Sequence, residues 1–221
     1  MLRSMSSRGA QPDQISYTAV IGACFSSMNP QGMRKAERLL ELMEKDPNVE
    51  VDEDVFVSVI SGLYHSLSVV NDNGAKTYFA EQIEALFRYS SLPSVNGLNL
   101  CLQAWSRSYS DQAGQRSIDL FHDYCLASAT VIPNSYSCLH FMKALASKSL
   151  PDPLPKAKEL LEYMRVNQFP QHKGVLNQYI RLLARKGCRL TVHKKIRTAT
   201  FWRSTSDIQR KFTMPKLYMH H

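Results

Sequence analysis

Apolar residues recur along the chain at the three- and four-residue spacing of an amphipathic helix. One pattern, an alanine, two adjacent leucines and a methionine, occurs twice, at Ala36, Leu39, Leu40, Met43 and at Ala157, Leu160, Leu161, Met164. The second copy begins 121 residues after the first, from 36 to 157, which is three steps of about 40. Residues of a strand would alternate instead, so the pattern predicts helices. The fixed period predicts a repeat array whose units bury their apolar faces by stacking.

Turn residues divide the chain at similar intervals, and each is followed by a further apolar run. These positions are Pro12, Val51, Pro93, Pro133 and Pro170, and Val51 occupies a position where a proline would be expected. Proline favours a helix boundary because it lacks a backbone N–H and fixes φ. Each unit is therefore predicted to be a hairpin of two helices, with helix A after the turn and helix B carrying the alanine, leucines and methionine. The predicted fold is all-α, an α-solenoid of stacked helical hairpins in a right-handed superhelix.

The same pattern predicts where the helices lie. Helix A is predicted near 14–26, 53–67, 95–108, 135–147 and 174–186, and helix B near 32–45, 76–90, 113–127 and 154–167. Longer loops are expected at 26–32, 46–50 and 69–77. Ala36 and Ala157 are expected at close helix crossings, where a larger side chain would force the neighbours apart.

Composition is that of a folded chain without a membrane helix. The 221 residues are 44% apolar and 21% charged, which is enough to form a sizeable core. No apolar run approaches the roughly 18 residues that a membrane helix needs. The five cysteines, Cys24, Cys101, Cys125, Cys138 and Cys188, are odd in number and include no close pair. We expect buried free thiols in a reducing compartment rather than disulfides or a zinc site.

Motifs that carry catalysis are missing from the sequence. The seven histidines have no metal-binding spacing, and the chain contains neither a Gly-rich phosphate loop nor a Gly-x-Ser-x-Gly motif. After Cys188 the single acidic residue is Asp207, whereas metal-dependent cleavage needs several convergent carboxylates. We therefore expect a protein that is not an enzyme and that has no cofactor or catalytic metal.

Positive charge is concentrated at the carboxyl end. Residues 1–170 contain 15 Lys and Arg against 18 Asp and Glu, a net charge of −3, whereas residues 171–221 contain 12 against one, a net charge of +11. Aromatic residues such as Phe201 and Trp202 are interleaved with these cations. Cations neutralise phosphates and aromatics stack on unpaired bases, so the pattern favours a nucleic-acid partner.

The helical pattern as a whole resembles that of the pentatricopeptide repeat family. The segments that carry the resemblance are PDQISYTAVIGAC, RKAERLLELMEKD, PNSYSCLHFMKALAS and KAKELLEYMRVNQFP. It covers residues 1–188, with units near 14–52, 53–94, 95–134 and 135–171, partial units at 1–13 and 172–188, and a basic tail at 189–221. Tetratricopeptide and HEAT-like arrays also fit the helical period.

Residues 1–13 allow two interpretations. They are basic and serine-rich like a mitochondrial presequence, but Gly9, Pro12 and Asp13 also match the end of a helix B and the following turn. We favour the second interpretation, in which the natural protein extends further upstream.

The resemblance implies that each unit contacts about one base of single-stranded RNA. The two dominant positions are the polar residue after the helix A aromatic and the last residue before the next helix A. They are occupied by Thr18 with Asp52, which resembles a purine-selecting pair, by Asn99 with Asn134, which resembles a pyrimidine-selecting pair, and by Asn177 if the turn contains one inserted residue. In the other two units Val57 and Leu139 take the first position, and an aliphatic side chain cannot hydrogen-bond to a base.

Basic residues of the last helix and the tail are expected to contact phosphates. They are Arg181, Arg185, Lys186, Lys194, Lys195 and Arg197. The expected function is binding of single-stranded or ribosomal RNA in transcript processing, stability or translation, in a mitochondrion or alternatively a plastid, with no membrane partner. The alternative is a protein-interaction scaffold, such as a peripheral component of an organellar ribosome, and the acidic repeats favour that alternative.

Overall fold

The chain folds into helices joined by short connections. The structure, a computed structural model, describes residues 5, 9–26, 30–90, 92–146, 150–170 and 172–185, and these contain no strand. The α-helices among them are α1 (Gln14–Ser26), α2 (Pro30–Glu44), α3 (Glu53–Val69), α4 (Asn73–Tyr89), α5 (Val95–Arg107), α6 (Ala113–Phe121), α7 (Ser135–Leu145), α8 (Leu154–Val166) and α9 (Lys173–Arg185). The all-α prediction is confirmed for this part of the chain.

The helices alternate as the sequence predicts. Odd-numbered helices take the helix A positions and even-numbered helices the helix B positions. Each helix A packs against the helix A of the next hairpin, from α1 through α3, α5 and α7 to α9. Helices α4, α6 and α8 each pack against the helix A before them and the helix A after them, whereas within the described residues the backbone of α2 lies close to α1 alone. The arrangement is therefore repeat-like, with the A helices forming one continuous layer.

The apolar pattern of helix B faces the interior. Ala36 and Met43 are buried in α2, and Ala157 and Met164 are buried at the matching positions of α8. One leucine of each pair is also buried, the second in α2 (Leu40) and the first in α8 (Leu160). They belong to one core that runs through all the hairpins. Both alanines are fully buried, as expected for residues at close helix crossings.

Side-chain caps decide where helix A begins. In the first four hairpins the residue before helix A accepts the backbone N–H three residues later, which satisfies one of the orphan donors of the first turn. The bonds run to Asp13 from Ser16 (2.8 Å), to Asp52 from Val55 (3.1 Å), to Ser94 from Gly97 (3.1 Å) and to Asn134 from Ser137 (3.0 Å). The regular recurrence of these polar residues explains the agreement between the predicted and observed starts of helix A.

Two helix starts differ from the prediction by two residues or more. The long loop expected at 69–77 is wrong, because Asp72 accepts the Ala75 N–H at 2.6 Å and caps α4, which begins at Asn73. Helix α2 begins two residues earlier than expected, with Pro30 at its first position, where proline is well tolerated.

The third helix B also departs from the prediction. It is α-helical to Phe121 and then continues as a π-helix, His122–Ala127, in which the Ser128 N–H bonds the carbonyl of Asp123 five residues earlier. In this segment the ring of Tyr124 lies 4.7 Å from that of Phe87 in α4. Apolar periodicity does not distinguish these two hydrogen-bond registers over so few residues.

Local geometry near the amino end is that of a helix terminus. Gly9 has a φ of 78°, and the Ala10 N–H bonds the carbonyl of Met5 at 3.0 Å. A left-handed glycine with this bond is typical of a helix carboxyl end.

A buried carboxylate joins the second hairpin to the third. Glu84 of α4 is 4% exposed and accepts hydrogen bonds from Trp105 Nε1 of α5 and from Arg88 Nε, both at 2.8 Å. A guanidinium nitrogen of Arg116 in α6 lies 3.6 Å from the same carboxylate. Three helices therefore share one charge network, in which the carboxylate is buried and the two arginines reach it from the partly exposed surface.

The cysteines are packing residues in the described part of the chain. Cys101, Cys125 and Cys138 are buried free thiols. Burial raises the pKa of Cys125 and of Cys138 to about 12, so both thiols stay protonated. The expectation of buried free thiols is confirmed for these three residues, and Cys188 lies outside the described residues. In the described residues, we also find no helix with the length and hydrophobicity needed to cross a membrane.

Candidate nucleic-acid interface

A groove rich in cations runs across the last three A helices. It has a volume of about 320 Å³ and is lined by Gln103, Ser106 and Arg107 of α5, Lys143 and Ala146 of α7, and Gln178, Arg181 and Arg185 of α9. Helix α7 lies between α5 and α9 and supplies the floor. We call this surface the basic groove.

The cations of the basic groove share one face of helix A. Counted from the cap residue, Lys143 and Arg181 are ninth, and Arg107 and Arg185 are thirteenth. Positions four residues apart lie on one face of a helix, about one turn from each other. Because the three A helices are neighbours, these positions converge in space although they are spread over 78 residues, from 107 to 185. In the first two hairpins the ninth positions are Gly22 and Ser61, so the charge is confined to the carboxyl-terminal half.

The electrostatic environment of the basic groove is positive. Among the residues that the structure describes, no acidic side chain lines it. The pKa of the neighbouring His140 is lowered to about 4, first by burial and then by the charges of Lys143, Arg107 and His172. The imidazole is therefore neutral near physiological pH, and the groove is suited to a ligand of opposite charge.

Two of the four cations have a fixed position and two are available. The Arg107 guanidinium lies over the ring of Tyr64, 5.2 Å from its centroid, and Arg185 Nη1 donates to the carbonyl of Ala146. Lys143 and Arg181 form no ion pair or hydrogen bond with any residue of the described ranges. Their side chains are therefore free to bind an anion.

Gln103 is held at the edge of the groove by a buried histidine. Its Nε2 lies 3.1 Å from Nε2 of His140. His140 is buried, with 7% of its surface exposed. Nδ1 of that ring is buried without a hydrogen-bond partner in the described part of the chain. The contact orients the Gln103 amide beside the cations.

Asn99 and Asn134, one of the two pairs predicted from the resemblance, lie in contact. Asn99 Nδ2 is 3.5 Å from Asn134 Oδ1, and the Ser137 hydroxyl donates to Asn99 Oδ1 at 2.6 Å. Asn134 Oδ1 also accepts the backbone N–H groups of Tyr136 and Ser137, both at 3.0 Å. The two Nδ2 hydrogens of Asn134 have no partner among the described residues and remain available as donors.

The other predicted pair is connected through a third residue. The Thr18 hydroxyl donates to the carbonyl of Gln14 at 2.8 Å, and Gln14 Nε2 donates to Asp52 Oδ1 at 2.9 Å. The same oxygen of Asp52 caps α3. Sequence reasoning missed Gln14, which could have been recognised because it lies one turn before Thr18.

The remaining predicted residues fall into two groups. Asn177 is exposed and lies five residues after His172, the same distance that separates Asn99 from its cap residue Ser94. Arg181 and Arg185 line the basic groove. Four others lie outside the described residues: Lys186, Lys194, Lys195 and Arg197. Of the aliphatic exceptions, Leu139 packs against the first turn of α9, where a Cβ on Gly174 would lie 2.8 Å from its Cδ1.

Sequence reasoning did not identify most of the residues of the groove. Arg107, Lys143 and Gln103 are not among the RNA-binding residues predicted from the sequence. Counting from the cap residues identifies them, because Gln103 and Lys143 are ninth, like Arg181, and Arg107 is thirteenth, like Arg185. Tyr136 was also missed, and it is 61% exposed beside the Asn99–Asn134 pair, with its ring 6.0 Å from that of His172.

The described residues include no cluster of three His, Cys, Asp or Glu side chains that could hold a metal ion. No protein-family model and no curated protein matches the chain.

Proposed function

We propose that the chain is an RNA-binding helical-repeat protein of the pentatricopeptide type, with hairpins stacked as a right-handed α-solenoid. It acts by binding rather than by catalysis, in a mitochondrion or alternatively a plastid. The observation that supports this proposal best is the convergence of four cations from three A helices in one groove, whose described lining residues include no acidic side chain.

Phosphate contacts are the chemistry best suited to the basic groove. Guanidinium and ammonium groups neutralise the backbone of a nucleic acid and release its counterions. Arg107 and Arg185 are pre-oriented by Tyr64 and by the carbonyl of Ala146, which reduces the entropy lost when they bind an anion. Lys143 and Arg181 are the mobile partners that adapt to the position of the strand.

Base contacts are proposed at the Asn99–Asn134 pair, which lies toward the amino-terminal ends of helices α5 and α7. Asn134 retains two N–H donors, and such donors complement the carbonyl acceptors of a pyrimidine. Tyr136 is exposed beside them, and an aromatic ring can stack on an unpaired base for about 1–3 kcal/mol. A single strand is favoured over a duplex because its bases are open to these contacts.

The footprint of the RNA is proposed to centre on the third to fifth hairpins. In the second hairpin Val57 is aliphatic and Asp52, Glu53 and Asp54 are acidic at the start of α3. These carboxylates repel phosphate. The amino-terminal hairpins therefore contribute less to RNA affinity than the carboxyl-terminal ones.

The test is a salt titration of RNA binding by matched variants. Fluorescence anisotropy with a labelled random 20-nucleotide RNA measures affinity from low to moderate salt for the natural chain and for Lys143→Gln with Arg181→Gln. Loss of two phosphate contacts is expected to reduce the slope of log affinity against log salt by about 1.4, at about 0.7 per contact for a single strand. The control replaces Arg34 and Lys35, two exposed cations of α2, by Gln. An unchanged slope in the groove variant, or an equal change in the control, would refute the role of the basic groove.

Two further variants separate base contacts from the basic tail. Asn99→Ala is expected to change sequence preference in a selection from the random pool while leaving the salt slope unchanged. Deletion of 189–221 is expected to flatten the slope further without abolishing selective binding. Complete loss of RNA binding on this deletion would favour the second candidate function, a scaffold that binds protein through its hairpins and RNA through its tail alone. The observations in favour of that second candidate are the aliphatic Val57 and Leu139 and the acidic second hairpin.

A further inference from the structure

A second groove lies on the helix B side of the first two hairpins, between α2 and α4. Its volume is about 260 Å³. The floor is formed by buried apolar side chains, Phe25, Leu40 and Leu86, and the sides by Glu37 and Glu41 of α2 and by Gln82 and Ala85 of α4. We call this surface the acidic groove. It shares no residue with the basic groove.

The acidic groove exists because α2 stands apart from the second hairpin. Within the described residues the backbone of α2 lies close to α1 alone, whereas every later helix B also packs against the following helix A. Opposite α2, Ala85 offers only a methyl group. The space between the two helices is consequently open at its middle.

Two tyrosines of α4 lie near glutamates of α2, and one of them, Tyr89, lines the groove. The Tyr89 hydroxyl donates to the carboxylate of Glu44 at 2.8 Å. Tyr89 is 53% exposed, and the centroid of its ring lies 6.3 Å from that of Phe56. The carboxylate of Glu37 lies near Tyr78, where it adds to the effect of burial in raising the pKa of that phenol. Side chains therefore connect α2 with α4, although the backbones of the two helices stay apart.

The chemistry of the groove is apolar below and negative at the rim. In the described part of the chain no cation lines it, and neither Glu37 nor Glu41 forms an ion pair. Its volume lies below the roughly 300–1,000 Å³ typical of small-molecule sites and suits a single large side chain. Negative charge at the rim disfavours RNA and favours Lys or Arg beside the inserted group.

We propose that the acidic groove is a docking site for a basic segment of a partner protein. The segment inserts one Leu, Met or Phe side chain between α2 and α4, and neighbouring Lys or Arg side chains pair with Glu37 and Glu41. This interaction is independent of the proposed RNA binding, since it uses other helices and the opposite charge. Its small area indicates a transient contact, with a Kd of about micromolar to millimolar for an isolated peptide.

Three synthetic peptides test the proposal on the ¹⁵N-labelled full chain. The first is a 12-residue peptide with a central Leu flanked by Lys and Arg; the second replaces that Leu by Ser; the third replaces the flanking cations by Glu. The first is expected to cause saturable NMR shifts at the backbone amides of Glu41, Ala85 and Leu86. Burial of a Leu side chain contributes about 1.5–3 kcal/mol, so the Ser peptide is expected to bind at least tenfold more weakly. The Glu peptide is expected to cause no shifts there.

Variants of the groove supply the second part of the test. Glu41→Lys is expected to weaken binding of the first peptide at least tenfold, and Ala85→Phe is expected to fill the groove and abolish the shifts. The control is Glu159→Lys, which reverses a charge on the exposed face of α8. Absence of saturable shifts with the first peptide, or equal affinity in Glu41→Lys and the natural chain, overturns the proposal. Concentration-dependent dimerisation that Ala85→Phe removes would assign the groove to a second copy, and shifts of the same amides by RNA would assign it to nucleic acid; either overturns it as well.

Discussion

Gly97→Ala is expected to destabilise the protein, although the same change in an open helix stabilises it. Gly97 lies in the first turn of α5 and is buried against α4. A Cβ at this position would lie 2.9 Å from Cδ2 of Phe87 and 3.1 Å from its Cε2. Phe87 is 1% exposed and its ring packs against Tyr124, so it has little room to withdraw.

The magnitude follows from two opposing effects. Overpacking of a buried contact costs about 1–3 kcal/mol, and replacing Gly by Ala in a helix returns about 0.5–1 kcal/mol. The free energy of unfolding should therefore fall, by up to about 2.5 kcal/mol. Gly62 of α3 is the matched control, because nothing lies within 4 Å of its added Cβ. Gly62→Ala should raise the free energy of unfolding by about 0.5–1 kcal/mol.

Urea denaturation followed by far-UV circular dichroism measures both variants, and thermal melts provide a second measure. For a chain of this size each kcal/mol corresponds to about 2–4 °C in Tm. Adding Phe87→Leu should recover part of the loss in Gly97→Ala, with a coupling of about 0.5–3 kcal/mol in the double-mutant cycle. Equal stabilisation by Gly97→Ala and Gly62→Ala, or additive effects in the cycle, would refute the close packing of α5 on α4.

Two further predictions concern buried polar groups. Trp105→Phe removes the N–H donor of the Glu84 carboxylate and should lower the free energy of unfolding by about 1–3 kcal/mol, measured by urea denaturation; unchanged stability contradicts the buried network. His140 has a pKa of about 4 in the fold against an ordinary 6.5, so between these values the unfolded chain binds more protons and stability falls as pH decreases. Denaturation midpoints at pH 7 and 5 should therefore differ less in His140→Gln, and an equal difference in both proteins contradicts the burial of a neutral imidazole.

The helical framework was predictable because its signals are local. Helix A begins where Asp13, Asp52, Ser94 and Asn134 cap it, and each of these residues acts on a backbone N–H only three positions away. Burial of Ala36 and Ala157 follows from the helical period in the same way. The loop predicted at 69–77 is wrong because it overlooks the cap residue Asp72, which starts α4 at Asn73.

The candidate site was only partly predictable because its residues meet through packing. Arg181 and Arg185 stood out as part of a basic cluster in the sequence, whereas Arg107 and Lys143 are isolated cations among neutral neighbours. Their significance depends on the side-by-side arrangement of α5, α7 and α9. The acidic groove was beyond sequence reasoning, because it depends on the distance between α2 and α4 and on the small size of Ala85.

The hydrogen bonds from one helix A to the cap of the next restrict how such a chain can be lengthened or shortened by recombination. Ser137 donates to the side chain of Asn99 while its backbone N–H is capped by Asn134, so all three residues depend on one another across a boundary between hairpins. A duplicated 95–134 segment would place Asn134 before Val95, and Gly97, which has no side chain, would then stand at the position of Ser137. The new junction would lose both the capping box and the bond to Asn99. Exchange of whole hairpins therefore requires cuts that keep Asn99 and 134–137 together.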